Sequence, residues 1–392
     1  MGDNKNFFKS KRSWSLFKDE MLSWYLKPYM YKLMSIPKRL YIIDCFAGRG
    51  KFEDGSEGSP LIISKQIQSI VNEENRMNKD VQGVFIEKKY AKALQENISE
   101  YKNCKVVNGD FEDKISNICI AAKQANVFLY LDPYGVKHLK FDYLDQICGT
   151  ACNSKNSLEM FINFNSVGFI REACRILKYN KINIEDEDNE ELLEHSDLSE
   201  ENMNKVFNGD LWKGLVADFY NDKITFHQLE EALVNQYLVN YRDYFKFILN
   251  IPIKTKQKNI PKYRMIFCTN NEDGLLLMNK DMNKVLKEMK DAELKGQMTF
   301  FNLPQVNDVE DLENYIITNL ETNKYMHYKN LACRIINETN IVFTEDDIKD
   351  ELKDLEEKGL ICIVRTPING YKPQRKLTGW NTKKYSIVIN KA

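Results

Sequence analysis

The sequence contains few histidines, and its cysteines follow no recurrent spacing. Only four of the 392 residues are histidines, and they are widely separated. The nine cysteines are an odd number, and none forms the Cys-x-x-Cys or Cys/His spacing of a zinc site. We therefore expect reduced thiols and no bound metal.

Long apolar runs are also missing. No apolar stretch approaches the roughly 20 residues that span a bilayer, and residues 1–6 lack the apolar core of a signal peptide. Hydrophobic residues make up 43% of the chain and charged residues 29%, with a formal net charge of -1. This composition predicts a multidomain cytoplasmic protein without a membrane partner. Any nucleic-acid contact must then come from local basic patches.

Short apolar runs alternate with helical stretches from residue 40 to residue 164. Almost wholly apolar strands in such a series predict an α/β, Rossmann-like fold with a parallel sheet covered on both faces. Two later segments, 244–253 and 263–268, have the length of an antiparallel pair that closes the sheet edge.

The pattern predicts four parts of the chain. Residues 1–175 form the core with an N-terminal helix, which Pro28 should kink or interrupt. Residues 176–234 form a helical insertion, and residues 235–297 complete the core. Residues 298–392 show three helices followed by a hairpin, the order of a winged helix, with the wing at 367–376.

The first strand ends in Asp44 and leads into a turn that contains Gly48 and Gly50. Without a Cβ atom, these glycines allow dihedrals that let a ligand lie against the main chain. Tight packing between a strand and a helix produces the same pattern, so both interpretations remain open. Arg49 and Lys51 are candidates to bind a cofactor carboxylate or a substrate phosphate, or are surface charges.

The next three strands each end in a carboxylate, namely Glu87, Asp110 and Asp132. In a parallel sheet these ends lie at one edge, so the three acids and Asp44 should converge on one crevice. Glu87 suits the two hydroxyls of a ribose, and Asp110 suits the exocyclic amine of an adenine. Single acids at strand ends also act as helix caps.

The turn at residues 132–135, with the sequence Asp-Pro-Tyr-Gly, is a second specific signal. The Asp132 carboxylate and the Pro133 carbonyl can accept the two hydrogens of an amine, while Tyr134 can stack on a planar base. We therefore predict that these three residues are catalytic and that Gly135 contacts the substrate. An ordinary strand-ending turn has the same form.

These segments resemble the motifs of class I S-adenosylmethionine-dependent methyltransferases. Residues 44–50 are similar to the glycine-rich first motif, and residues 132–135 resemble the fourth motif of enzymes that methylate exocyclic amines of nucleobases. The fourth motif lacks its second proline, and its aromatic residue comes one place early, as in the Asp-Pro-Phe-Gly form of tRNA guanine methyltransferases. The resemblance implies a seven-stranded methyltransferase sheet. It also implies that S-adenosylmethionine is bound by Asp44, Phe46, Ala47, Gly48, Gly50, Glu87 and Asp110.

Residues 41–60, 131–135 and 263–270 resemble the three-Cys-motif partner (TcmP) family. This resemblance covers about the first three hundred residues. It implies a methyltransferase-like fold and a partner protein with a three-cysteine, radical-enzyme-like motif.

The sequence favours a methyltransferase that acts on a nucleobase amine in DNA or RNA. Methylation of a cytosine carbon would need a cysteine nucleophile near Asp132, and the nearest thiols, Cys119 and Cys148, lie on other segments. The alternative is a catalytically inactive module that binds nucleic acid or a partner. In either case Arg375 and Lys376 of the predicted wing are candidates for phosphate contact. A metal-dependent nuclease built on Glu87 is disfavoured, because no suitable Pro-Asp pair lies upstream.

Overall fold

The computed structural model describes residues 13–73, 80–133, 135–179, 199–254, 261–294, 309–320, 324–368, 379–382 and 384–391. The chain divides into two compact units. The first comprises residues 1–270 and 289–300, and the second comprises residues 271–288 and 301–392. The finer division of the first unit into a core and an insertion stays a prediction.

The first unit contains a sheet with helices before and between its strands. Its helices are α1 (Ser13–Leu33), α2 (Ser59–Val71), α3 (Ala91–Asn97), α4 (Ile115–Gln124), α5 (Phe141–Cys152), α6 (Ser166–Ile176), α7 (Glu200–Phe207), α8 (Trp212–Tyr220) and α9 (Phe226–Val239). Its strands are β1 (Leu40–Asp44), β2 (Val81–Glu87), β3 (Cys104–Asn108), β4 (Asn126–Leu131), β5 (Leu158–Phe164), β6 (Phe247–Lys254) and β7 (Pro261–Thr269). Within the described ranges, none of the helices is long and apolar enough to cross a membrane.

The sheet confirms the predicted fold class. Its strand order is β3-β2-β1-β4-β5-β7-β6, in which β1 to β5 run parallel and β7 pairs antiparallel with both β5 and β6. Every residue of β4 is buried, as expected of a central strand covered on both faces. The order reverses direction between β1 and β4, where open α/β sheets have their ligand crevice.

Helix α1 covers one face of this sheet. The Tyr25 ring lies 5.7 Å from the Phe128 ring of β4 and 4.9 Å from the Phe267 ring of β7. The helix continues through Pro28, so an interruption at this proline, one of the two predicted outcomes, does not occur. A proline inside a helix costs about 3 kcal/mol. We attribute the continuity of α1 to its buried apolar face, which offsets this cost.

A buried carboxyl group on β5 binds both α1 and β7. Glu159 accepts hydrogen bonds from the Tyr25 hydroxyl at 2.5 Å and from Thr269 Oγ1 at 2.8 Å. Burial raises the pKa of Glu159 from 4.5 to about 7, although both hydrogen bonds act in the opposite direction. Folding therefore favours the protonated form of Glu159.

We expect Glu159→Gln to reduce the pH dependence of stability. A raised folded-state pKa gives stability that is complete below about pH 4.5 and is lost as the pH rises through about 7. Between pH 5 and pH 8 the free energy of unfolding of the variant should therefore rise by on the order of 2 kcal/mol relative to that of the wild type. Urea unfolding at several pH values measures this difference. Glu96→Gln, at an exposed site on α3, serves as the control. Equal pH slopes for wild type and Glu159→Gln would contradict this expectation.

A buried ion pair connects α9 to the sheet. Glu230 is 1% exposed and accepts hydrogen bonds from Arg264 of β7, from Nε at 2.9 and 3.1 Å and from Nη2 at 2.6 Å. Ser166 Oγ donates to Glu230 at 2.6 Å, and Arg264 Nη1 donates to Asn250 Oδ1 at 2.8 Å. The pair therefore joins α6, α9, β6 and β7 beside the carboxyl end of β5.

The second unit contains three helices and a hairpin in the predicted order, together with most of a preceding helix and a short strand between the first two of the three helices. Its elements are α10 (Glu272–Leu294, with the residues from 289 in the first unit), α11 (Val309–Asn319), β8 (Met326–His327), α12 (Tyr328–Thr339), α13 (Glu345–Glu357), β9 (Ile361–Pro367) and β10 (Tyr385–Lys391). The strands form an antiparallel sheet of order β8-β10-β9.

Candidate active site

Asp44, at the end of β1, stabilises the start of the glycine turn (residues 46–50). Its Oδ1 accepts the backbone N–H of Phe46 at 3.1 Å, and its Oδ2 accepts Ser59 Oγ at 2.6 Å. Burial raises the pKa of Asp44 to about 7, while these two hydrogen bonds act to lower it. Both oxygen atoms thus already bind the protein itself, which links β1 to the first residue of α2.

The glycine turn needs glycine at two positions. Gly48 has φ +63° and Gly50 has φ +78°, in the left-handed region that other residues rarely adopt. A Cβ atom on Gly50 would lie 2.8 Å from Leu94 Cδ1 of α3. The Gly50 carbonyl accepts the N–H of Gly58 at 2.9 Å, which closes the loop between β1 and α2.

We expect Gly50→Ala to lower the free energy of unfolding by about 1–3 kcal/mol, because it combines backbone strain with a collision against Leu94. Gly149→Ala is the matched control, since Gly149 lies inside helix α5 and a Cβ atom there meets nothing within 4 Å. The control should keep or slightly raise stability. Urea unfolding of the three proteins measures both effects, and equal stability of the two variants would contradict the requirement for glycine at position 50.

Glu87, at the end of β2, holds the glycine turn in place. Its Oε2 accepts the N–H of Gly48 at 2.8 Å, and its Oε1 accepts the N–H groups of Lys89 and Tyr90 at 2.8 and 2.9 Å. Ala47 N–H also donates to a carbonyl of β2, that of Ile86, at 3.1 Å. A carboxylate offers about four acceptor positions, so about one remains for a ligand hydroxyl.

Backbone N–H groups take up most of the hydrogen-bonding capacity of Glu87. The described parts of the chain contain no cluster of three or more His, Cys, Asp or Glu side chains placed to hold a metal ion. Glu87 binds three backbone N–H groups, and Lys88 forms an ion pair with Asp110. These contacts use three acceptor positions of Glu87 and the charge of Lys88 within the protein itself.

The charged residues on the outer side of the turn are more exposed. Asp110 follows β3 with its side chain 41% exposed. The Arg49 guanidinium lies 4.5 Å from the centroid of the Tyr90 ring, and Lys51 is exposed. Arg49 and Lys51 thus lie within and directly after the glycine turn, and Asp110 is held by Lys88.

An aromatic cluster lies on the inner side of the turn. The Phe46 ring is 5.3 Å from the Phe111 ring and 5.6 Å from the His138 ring. His138 Nδ1 is 2.7 Å from Glu112 Oε1. Burial raises the pKa of Glu112, but the hydrogen bond to His138, a backbone hydrogen bond and the charges of His138 and Lys140 together outweigh it, so the net shift is downward. Phe46 thus contributes an apolar wall beside the glycine turn.

Asp132, just after β4, contacts side chains that were not predicted as its partners from the sequence. Its Oδ1 accepts Asn163 Nδ2 at 2.6 Å, and its Oδ2 forms an ion pair with Lys18 of α1. The Tyr130 hydroxyl is a weaker donor to Oδ2 at 3.4 Å. The side chains of Asp132 and Lys18 are each 17% exposed. Asp132 is thus an ion-paired acceptor near the carboxyl edge of the sheet.

Lys18 carries the positive charge of this region. Burial lowers the pKa of Lys18, but the carboxylates of Asp132 and Asp19, together with the hydrogen bond to Asp132, outweigh it and raise the pKa. The ammonium also opposes the burial that raises the pKa of Asp44. Lys18 therefore connects α1 electrostatically to the ends of β1 and β4.

Several predicted site residues lie outside the described residues, namely Tyr134, Arg375 and Lys376. Pro133 and Gly135 are described and half-buried, and Gly135 directly precedes a short 3-10 helix, Val136–His138. The structure therefore brings together Asp44, the glycine turn and Glu87, and it places Asp132 after the neighbouring strand β4.

Helix α13 of the second unit has an unfavourable charge for nucleic-acid contact. In a helix-turn-helix the second helix enters the major groove, and α13 holds that position after α12. The helix carries eight carboxylates against two lysines, a formal charge of -6. Phosphates would repel such a helix. A nucleic-acid contact of this unit would therefore need other elements.

The strand order and the antiparallel β7 define a class I methyltransferase-like fold. The chain therefore has the Rossmann-like fold of this class. No family model matches the sequence, and no curated protein matches it. The similarity to the TcmP family accordingly rests on the residues quoted above.

Solved structures with a distant likeness to this chain include methyltransferases and a related transferase. The methyltransferase domain of bacterial CtHen1-C is 8% identical, with 64% of this chain and 100% of that chain covered and a TM-score of 0.30. Spermidine synthase from Thermotoga maritima is 7% identical, with coverages of 74% and 68% and a TM-score of 0.31. Fibrillarin from Aeropyrum pernix, solved with S-adenosyl-L-methionine, is 7% identical, with coverages of 65% and 76% and a TM-score of 0.29.

Proposed function

We propose that this protein is an S-adenosylmethionine-dependent methyltransferase. The observation that carries the proposal is the position of the glycine turn and Asp132 at the carboxyl ends of β1 and β4, on the two sides of the strand-order reversal. Ligands of open α/β sheets bind at this point. Glu87, held against the turn with about one acceptor position left, suits a ribose hydroxyl there.

The proposed substrate is an exocyclic amine of a nucleobase in DNA or RNA. S-adenosylmethionine supplies the methyl group on its sulfonium, and the protein contributes mainly the alignment of the two reactants. The Asp132 carboxylate would accept one hydrogen of the amine and direct the nitrogen lone pair. In this proposal Tyr134 stacks on the base, as the motif at residues 132–135 predicts.

We expect wild-type protein to bind S-adenosylmethionine in isothermal titration calorimetry and Glu87→Ala to bind at least tenfold more weakly. The alanine removes the ligand acceptor and also the contact that holds Gly48. Glu96→Ala, which removes an exposed carboxylate from nearby α3, should bind like the wild type. Absence of binding to the wild type at millimolar ligand would overturn the proposed function.

The ion pair between Lys18 and Asp132 favours a second candidate, a methyltransferase-like module without catalysis. The ammonium occupies one oxygen of the carboxylate that the target amine needs. Labelled methyl transfer from S-adenosylmethionine to DNA, tRNA and total RNA distinguishes the two. We also propose the three-cysteine-motif protein as a partner, so each assay is run with and without it. Cofactor binding without transfer in all assays would establish the module.

A further inference from the structure

We infer that Asn163 is a second acceptor for the target amine, so that its Oδ1 binds one amine hydrogen while Asp132 binds the other. The inference rests on the proposed function and gives its substrate a narrower class, a primary amine. It assigns to an amide side chain of β5 the role that was predicted for the Pro133 carbonyl.

The register of the sheet places Asn163 beside Asp132. Strands β4 and β5 pair in parallel with Leu131 opposite Ile162, so Asp132 and Asn163 are the next pair at the carboxyl edge. Asp44 pairs with Tyr130, two residues before Asp132, so all of these side chains project from the same face. Asn163 thus lies next to the strand-order reversal where the glycine turn begins.

The orientation of the Asn163 amide is fixed by Asp132. A carboxylate only accepts hydrogen bonds, so the amide nitrogen must face it, and Nδ2 lies 2.6 Å from Asp132 Oδ1. The amide oxygen is buried, and none of the described residues donates a hydrogen bond to it. A buried acceptor without a donor destabilises the folded protein, and a ligand N–H would remove that cost.

Two neighbouring acceptors select a ligand with two hydrogens to donate. A primary amine supplies both, whereas a hydroxyl or an already methylated amine leaves one acceptor without a partner. Sites built to bind polar hydrogens discriminate strongly against ligands that lack them. In the reaction the nitrogen–carbon bond forms as the carbon–sulfur bond breaks, and the product ammonium then loses one proton to water. The product has one N–H, so transfer should stop after one methyl group.

The test measures methyl transfer to the nucleic acid that the wild type modifies. The substrate is compared with a matched oligonucleotide in which the target amine already carries one methyl group. We expect the wild type to prefer the unmethylated amine at least 100-fold in kcat/KM. Asn163→Leu should reduce this preference below tenfold while changing the Kd for S-adenosylmethionine less than twofold. Asn153→Leu, at an exposed site after α5, should keep the wild-type preference.

The possible outcomes separate this inference from the proposed function. If Asn163 only positioned Asp132, Asn163→Leu would slow both oligonucleotides equally, and the unchanged preference would overturn the inference alone. Methylation of a hydroxyl or a ring atom by the wild type would also overturn the inference about Asn163, although methyl transfer itself would then be established. If the wild type binds the cofactor and methylates no nucleic acid, the proposed function and the inference both fall.

Discussion

Asp132→Ala is expected to abolish methyl transfer and to lower the free energy of unfolding by about 2–4 kcal/mol. Removing one partner of a largely buried ion pair leaves the other charge without compensation, and such losses reach about 3–5 kcal/mol in fully buried sites. We expect a lower value here because Lys18 is 17% exposed. Urea unfolding and the methyl-transfer assay measure the two effects.

The double variant Lys18→Met/Asp132→Ala is the internal control for this prediction. It removes the unpaired ammonium and keeps an apolar side chain of similar length, so it should recover at least half of the lost stability. Neither variant should weaken binding of S-adenosylmethionine, because the contacts between Glu87 and the glycine turn stay intact. A stability of Asp132→Ala equal to that of the wild type would mean that solvent screens the ion pair.

Glu230→Ala is expected to lower the free energy of unfolding by about 3–5 kcal/mol, the largest effect on stability that we predict. The change leaves Arg264, which is 15% exposed, without its hydrogen bonds to the carboxylate. It also removes the acceptor of Ser166 Oγ. Helix α9 would lose its polar connection to β7, so thermal unfolding should begin at a lower temperature.

The matched control for Glu230→Ala is Glu201→Ala. Glu201 of α7 forms an ion pair with Lys205 on the surface, and its side chain is 76% exposed. Surface ion pairs of this kind contribute little, so the control should melt like the wild type. Similar melting temperatures for all three proteins would show that the pair between Glu230 and Arg264 contributes no net stability.

The sequence was sufficient to predict the sheet and the edge at which its strand-ending acids lie. The apolar strands and the acids at their ends are local signals. Parallel strands place their carboxyl ends at one edge of the sheet, so the location of those acids follows from topology. The requirement for Gly48 and Gly50 also follows locally, because a turn with positive φ favours glycine.

The substrate side was harder to predict. Asn163 becomes a neighbour of Asp132 through the register of β4 and β5, which no short pattern specifies. Lys18 reaches Asp132 because α1 crosses the face of the sheet, and helix spacing alone does not fix that crossing. Glu87 shows the same limit: its position was predictable, but its three bonds to backbone N–H groups depend on how the turn folds back.

The bonds of Glu87 to backbone N–H groups have a thermodynamic consequence for ligand binding. Since Gly48, Lys89 and Tyr90 are already fixed by the carboxylate, the glycine turn does not depend on a ligand for its shape. A ligand that binds there spends little of its interaction energy on ordering the main chain, so its affinity reflects the contacts themselves. Calorimetry should accordingly show a heat-capacity change close to that of the buried ligand surface, without the larger change that accompanies coupled folding.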